Sequence, residues 1–514
     1  MDQLPVWQSL CAGVPALVLL FFAIDAAQTK NDVRKQEGFP FFASSWPFTP
    51  RFIPNTRFAW DAARLLKEGY NKYKNSPYQL IQTDGNVVVL PHHLLQELAC
   101  IPASIASPNA GLERDFIGAY TGLHLILHIR LHHAMIQRKL TPRLNVLTPS
   151  LEKELASALQ EHLPKCEKEW AEFQPYYVFR RVVARLSGHL TFGASFQHKQ
   201  AWEKLQLTYM ENLFITIFVL RMFPTFLRPI LSLLLPSYWL CCRSMAAAKK
   251  LLRPTVVQLL KENDAGINVS QAGGVDQLNI LNWLVDSVKG ADRDPDTIMH
   301  ALVLVGLASV HTVLLRIVSL LYDLVDNPDF LDELRAEVET VTGDSQNESA
   351  YDKLEKLDSA MVESQRISPM MMTGLKRIFK ESYTFQNGLH IPKGTYVCMP
   401  VYTIENDPAI TPHPEVFDGL RQYRALRQAR EKDPMGAINK FQFSNPTTTS
   451  LAFGYGRAAC PGRFVATLEI KMMFVKLLTE YDFKFLPGNG RPSNIHLFDF
   501  MFAWPWTKML VKRR

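Results

Sequence analysis

The ten residues "FGYGRAACPG", 453 to 462, set one thiol, Cys460, among glycines at 454, 456 and 462 and a proline. Glycine lets backbone come close to a bulky flat partner, and turned amide groups donate to sulfur and favour the thiolate. A thiolate presented this way is a nucleophile or a metal ligand. A nucleophile calls for an activating histidine, and none lies near it in the sequence. A metal held by a single cysteine draws its other ligands from outside the protein. An iron porphyrin meets that condition, since the macrocycle supplies four donors and the protein one axial thiolate.

Two further groups of residues bear chemistry. His311 and Thr312 interrupt the apolar run "LVLVGLASVHTVLLRIV". Imidazole relays protons near neutral pH, and a hydroxyl within a helix bonds the carbonyl four residues back and opens the local ladder to water. Glu363 and Arg366, in "ESQR", stand one helical turn apart and so on one face.

Taken in order, these pieces resemble the cytochrome P450 family. Phe453, Gly456, Cys460 and Gly462 match its haem-binding signature F-x-x-G-x-x-x-C-x-G, and Glu363-x-x-Arg366 matches the pair on its K helix. "PEVFDGLR", 414 to 421, resembles its second arginine motif and makes Arg421 the third member of a buried structural cluster; "IPKGT", 391 to 395, is the phrase that opens a strand between them. The resemblance covers residues 40 to 514. It implies a mainly α fold with small β-sheets, and haem b on Cys460, with Phe453, Gly456, Arg457 and Gly462 forming the cofactor loop. In "ASVHTV", 308 to 313, Ser309 replaces the family's glycine and His311 its acid, while Thr312 is kept; the resemblance gives both His311 and Thr312 catalytic roles in delivering protons. A histidine there looks like fungal enzymes of terpenoid and alkaloid biosynthesis. Where the family often meets a haem propionate with Arg or His, this chain has Ala458, so another cation must serve. Arg138 resembles the C-helix arginine, though Ala134 replaces its usual tryptophan, and Lys376 and Arg377 are further candidates. Met370 to Met372 fall where relatives border the substrate.

The implied activity is insertion of one atom of O₂ into an apolar, polycyclic secondary metabolite: a terpenoid, meroterpenoid or indole alkaloid. Electrons would come from NADPH through NADPH-cytochrome P450 reductase, with cytochrome b5 as a further donor. A haem-thiolate isomerase that needs no reductase, and a non-catalytic haem- or lipid-binding protein of the same fold, stay open as alternatives.

Elements must carry these residues. Asp294 is suited to cap a helix and Pro295 to begin one, and Asn327-Pro328 ends it; at about 1.5 Å per residue such a helix crosses a whole domain, and its apolar faces make it central. "PYQLIQTDGNVVVLP" predicts a hairpin with a tight turn at Asp84-Gly85, both in positive φ. Residues 92 to 265 read as mostly helical. "ESYTFQNGLHIPKGTYVCMPV" predicts a second group of strands. The apolar stretch 212 to 242 is broken by Pro224, Pro229 and Pro236, and reads as a lid touching membrane or as buried core.

The chain has 514 residues, 47% of them hydrophobic, which suits a large core rather than a disordered polymer. Seven scattered cysteines without CxxC spacing suggest neither a disulfide framework nor structural zinc. A net charge of +7 without basic runs interleaved with aromatics gives no nucleic-acid partner. Residues 7 to 24 contain no charge and approach the roughly 20 residues of a spanning helix, with Lys30, Arg34 and Lys35 behind them. The expectation is a single-pass anchor (1 to 28), with a cleaved signal peptide as the rival reading although a basic n-region is missing, then a proline- and aromatic-rich connector (29 to 56) and a catalytic domain (57 to 514). By the positive-inside rule that domain faces the cytosol at the endoplasmic reticulum membrane.

Overall fold

The computed structural model describes residues 38–42, 50–127, 131–271, 273–343, 350–432 and 441–514. The expected anchor lies outside them, as do parts of the connector.

Helix α1 (Phe52–Lys72) opens the described fold, so residues 52 to 56, read from sequence as connector, form its first turn. Strands β1 (Tyr78–Leu80) and β2 (Val87–Val89) pair antiparallel as expected. Their connection is longer than a two-residue turn: Leu80 pairs with Val87, and only Gly85 takes a positive φ, +117°. Asp84 is held by Arg114, whose Nη2 lies 3.1 Å from its Oδ1. Next come β3 (Ala106–Ser107), α2 (Pro108–Asp115), α3 (Leu144–His162), β4 (Ala171–Phe173), α4 (Pro175–Phe192), α5 (Lys199–Met222), α6 (Arg228–Leu234) and α7 (Pro236–Asp264).

Helix α8 (Pro295–Val325) is the long helix, capped by Asp294, whose Oδ2 accepts from the Thr297 amide at 2.9 Å. Its most apolar window has a mean hydropathy of 2.1 and is 78% buried, as befits a core helix. It packs against α4, α7, α9 (Glu355–Ile367) and α11 (Arg463–Glu480). Between α9 and α11 lie β5 (Gly374–Phe379), the hairpin β6 (Tyr383–Thr384) with β7 (His390–Ile391), β8 (Tyr396–Met399) and α10 (Arg421–Lys432). The chain ends with β9 (Tyr481–Phe485), β10 (Ile495–Leu497), β11 (Phe500–Phe502) and β12 (Met509–Arg513). The main sheet has the order β1-β2-β8-β5-β3, with β2 and β8 parallel. The fold is mainly helical with small sheets, as expected.

Where the sheet meets α5 and α6, four bases (Arg114, Arg221, Arg228, Lys376) are buried or nearly so with three acids (Asp84, Asp115, Asp499). Lys376 Nζ binds Asp115 and lies 2.6 Å from Asp499 Oδ2, and Arg221 Nη1 is 3.6 Å from Asp499 Oδ1. Beyond this seam the 212 to 242 stretch is no plain core. Leu234 is 74% exposed and Ile230 61%, with Leu233, Trp239 and Leu240 also open, and α6 bends 73° into α7.

Candidate functional site

The cysteine loop is built by its own backbone. The Cys460 amide donates to the Phe453 carbonyl at 2.8 Å and the Gly454 amide to that of Leu451 at 2.7 Å, closing a tight turn. Gly454 and Gly456 have φ of +78° and +65°, the left-handed region that glycine tolerates without strain. A Cβ on Gly456 would lie 3.2 Å from that of Ala99. Phe453 anchors the loop from beneath, edge-on to Phe443 at 5.1 Å. Burial pushes the Cys460 thiol up, while backbone amides of Gly462 and Arg463 and the Arg463 charge favour the thiolate. A bound cation removes that proton outright. Three residues on, α11 begins and carries the loop against α8.

The Glu363 cluster forms as the motifs predict. Glu363 Oε1 lies 2.6 Å from Arg366 Nη2, and its Oε2 accepts from Arg366 Nε at 3.0 Å and from Arg421 Nε at 3.2 Å. The Asp418 amide completes the carboxylate at 3.1 Å, and Arg366 Nη1 donates to the Pro414 carbonyl at 2.7 Å. This fixes the segment that leads toward the cysteine loop to the end of α9.

The centre of α8 has one open stripe. Leu304, Ala308 and Thr312, at successive i+4 positions, are partly or fully exposed, although nearly every other residue around them is buried. Thr312 Oγ1 donates to the Ala308 carbonyl at 2.8 Å, the bond expected of it. Ser309 earns its place otherwise: its Oγ lies 2.5 Å from Ser187 Oγ and joins α8 to α4. No bond between His311 and Thr312 appears. The His311 ring instead lies on Phe214, centroids 4.4 Å apart, and neither ring nitrogen has a hydrogen-bond partner. Burial pushes its pKa down to about 4, so the imidazole is neutral.

The candidate anion-binding cations separate clearly. Arg138 and Arg457 are exposed, the first on a π-helical turn at Ile136–Leu140. Lys376 is committed to Asp115 and Asp499. Arg377, next along β5, is buried; its Nη1 donates only to the Lys376 carbonyl at 2.8 Å, and burial lowers its pKa to about 10. A buried cation with no carboxylate partner suits an incoming anion. Sequence reading passed over Arg316, one turn beyond Thr312. Its Nη2 donates to the Ser368 carbonyl while Nε and Nη1 find no partner, and burial lowers it to about 10. The signal was a lone arginine inside an apolar run.

These features fit a flat iron-bearing ring with acidic arms. Cys460 would hold its metal, the glycine loop would pass close beneath it, the open stripe of α8 would lie along a large apolar face, and Arg377 would meet a carboxylate.

Residues 106–513 match the Cytochrome P450 family model. A cytochrome P450 monooxygenase of Emericella nidulans is 32% identical over 477 residues, 92% of this chain and 88% of its own. Monooxygenase olcJ of Penicillium canescens is 30% identical over 511 residues, 99% and 93% of the two chains. Ent-kaurene oxidase P450-4 of Gibberella fujikuroi is 32% identical over 472 residues, 91% of each. Matches of this length, over a fold whose cysteine loop and Glu363 cluster assemble as described, leave one assignment: the chain belongs to the cytochrome P450 family, is an oxidoreductase of monooxygenase type, and has haem b as its cofactor.

Proposed function

We propose that the enzyme hydroxylates an apolar polycyclic secondary metabolite, of terpenoid, meroterpenoid or indole alkaloid type, at a membrane. The reaction consumes the substrate C–H, O₂, NADPH and a proton, and yields the alcohol, water and NADP⁺, with NADPH-cytochrome P450 reductase passing the two electrons and cytochrome b5 able to supply the second. Haem, when bound, supplies the oxidising iron. The observation that carries this reading is the Cys460 loop together with a helix whose open stripe carries Thr312. Fungal relatives that include an ent-kaurene oxidase support the terpenoid class.

Within this chain, Cys460 would hold the metal, with amides of Gly462 and Arg463 steadying the sulfur, and Phe453 and Gly456 keep the loop flat. Arg377 would neutralise an acidic arm of the cofactor. Thr312 would keep a proton and a water at the substrate side, because its hydroxyl is held by the Ala308 carbonyl and remains reachable. Replacing Cys460 with Ser should abolish the red-shifted Soret band of the reduced carbon monoxide complex; a persisting band would sink the assignment. Thr312→Ala should keep haem content and substrate binding near normal but lower product per NADPH, the remainder appearing as hydrogen peroxide. Full coupling in that variant would move proton handling elsewhere.

We place the enzyme on the endoplasmic reticulum, anchored by residues 7 to 24. The exposed apolar side chains of α6, with Ile53 and the 66% exposed Trp60 on α1, would dip into the bilayer, since α1 and the end of α5 are joined by Asn55 Nδ2 donating to the Arg221 carbonyl at 3.1 Å. A cytosolic domain leaves the sequon Asn268-Val269-Ser270 without glycan although Asn268 is exposed; a glycan there would reverse the topology.

A further inference from the structure

His311 is the least satisfied polar side chain at the centre of the fold. It is 6% exposed, both ring nitrogens are without a hydrogen-bond partner, and its surroundings are aromatic. Phe214 of α5 lies on its face at 4.4 Å, and Phe502 of β11 stands at 5.9 Å. Phe218 and Phe500 close the group, with Phe218 5.6 Å from Phe500 and 5.7 Å from Phe502, and Phe116 reaches Phe500 at 5.7 Å. Four of these five rings are only partly buried, so they border space rather than fill it. Ala308, on the open stripe, is one turn back from His311 as well as from Thr312. The imidazole itself is closed in behind these rings, one turn from the open stripe, so a ligand oxygen that meets its nitrogens must enter between them.

A buried polar group without a partner gives up its hydration and gains no bond in return. Five phenylalanines and an imidazole with one N–H and one lone pair make a surface for fused rings that carry a single oxygen. A purely apolar substrate would gain more from a sixth aromatic side chain.

We propose that His311 is a specificity residue that binds a hydroxyl or carbonyl oxygen already present on a polycyclic substrate. An earlier step must then leave oxygen on the ring system before this enzyme acts. The inference rests on the monooxygenase reading and gives its substrate a polar handle. It also separates two neighbours: Thr312 handles protons, and His311 orients the molecule to be oxidised.

The test uses full-length haem-loaded enzyme in nanodiscs and two tetracyclic probes, ent-kaurene and its alcohol ent-kaurenol, with binding followed by equilibrium dialysis and by the Soret shift. Wild-type enzyme should prefer the alcohol about tenfold, the size of one net hydrogen bond. His311→Phe should bind the hydrocarbon within about twofold of wild type and lose the preference, while His311→Gln should keep part of it. The carbon monoxide spectrum of each preparation reports the Cys460 reading separately. The proposal is overturned if wild type shows no preference or binds neither probe, or if His311→Phe keeps the preference while losing product per NADPH, which would return His311 to proton relay. The wild-type comparison decides even if His311→Phe does not fold.

Discussion

Glu363 and His311 are buried to nearly the same degree, 1% and 6% exposed, yet their surroundings are opposites. Glu363 accepts from two guanidinium groups and a backbone amide. His311 touches carbon and has no polar partner. Burial alone therefore does not say what a polar residue is for. A saturated network on the α9 side fixes the chain that reaches the cysteine loop, whereas an unsaturated ring on the α8 side keeps capacity for something that arrives later.

Breaking the saturated side should cost most. Arg366→Ala removes two of the five hydrogen bonds that Glu363 accepts, and such truncations destabilise by about 3–5 kcal/mol, so haem-bearing protein should largely disappear from purified material. Arg366→Lys keeps the charge without the two-pronged geometry and should fall between. A thermal midpoint for Arg366→Ala within about 2 °C of wild type would show that the cluster carries no such load.

Glu469 on α11 offers a contrast in the same helix that leaves the cysteine loop. It is buried with Oε1 unpaired, and burial pushes its pKa up to about 8. The folded state then binds a proton that the unfolded chain has released above its ordinary value of 4.5, so wild-type stability falls as pH rises from 4.5 to 8. Glu469→Gln should stabilise at pH 8 by on the order of 1–3 kcal/mol, with the gain fading toward pH 4.5 in parallel melting curves.

For His311 the sign reverses. Its folded pKa lies below its ordinary 6.5, so the unfolded chain binds the extra proton and wild type loses stability as pH falls from 6.5 to about 4. His311→Phe should therefore gain on wild type by about 1 kcal/mol near neutrality and by more at pH 5. A pH-independent difference would show the ring to be wet. Ser309→Gly should change function least: it gives up about 0.5 kcal/mol of helix propensity and the bond to Ser187 with coupling untouched, read by melting and by product per NADPH.

Much of this was readable beforehand, for physical reasons. The cysteine loop and the Glu363 cluster are local or short-spaced motifs, and the long helix announces itself by its cap and its unbroken apolarity. What one sequence hides is direction. Lys376 and Arg377 are equivalent as letters, but alternate side chains on a strand point to opposite faces, and one meets two carboxylates while the other meets none. His311 and Thr312 are adjacent, yet about 100° of helical rotation sends one to Phe214 and the other to the open stripe. The Asp84-Gly85 turn is not a two-residue hairpin: the strands stop pairing at Leu80 and Val87, and Asp84 instead pairs with the distant Arg114.

The ionic seam between the sheet and α5–α6 has a mechanical consequence. Surfaces joined by carbon lose free energy in water when they part, but ions regain hydration, so separation returns much of what closure cost. The seam is therefore cheaper to part in water than an apolar interface of the same area, and it lies beside the exposed apolar residues of α6. Counterions weaken attraction across the parted faces more than within the dry joint. If the seam parts to admit substrate, raising salt should quicken entry of an uncharged ligand, and a rate indifferent to salt would show that it stays shut.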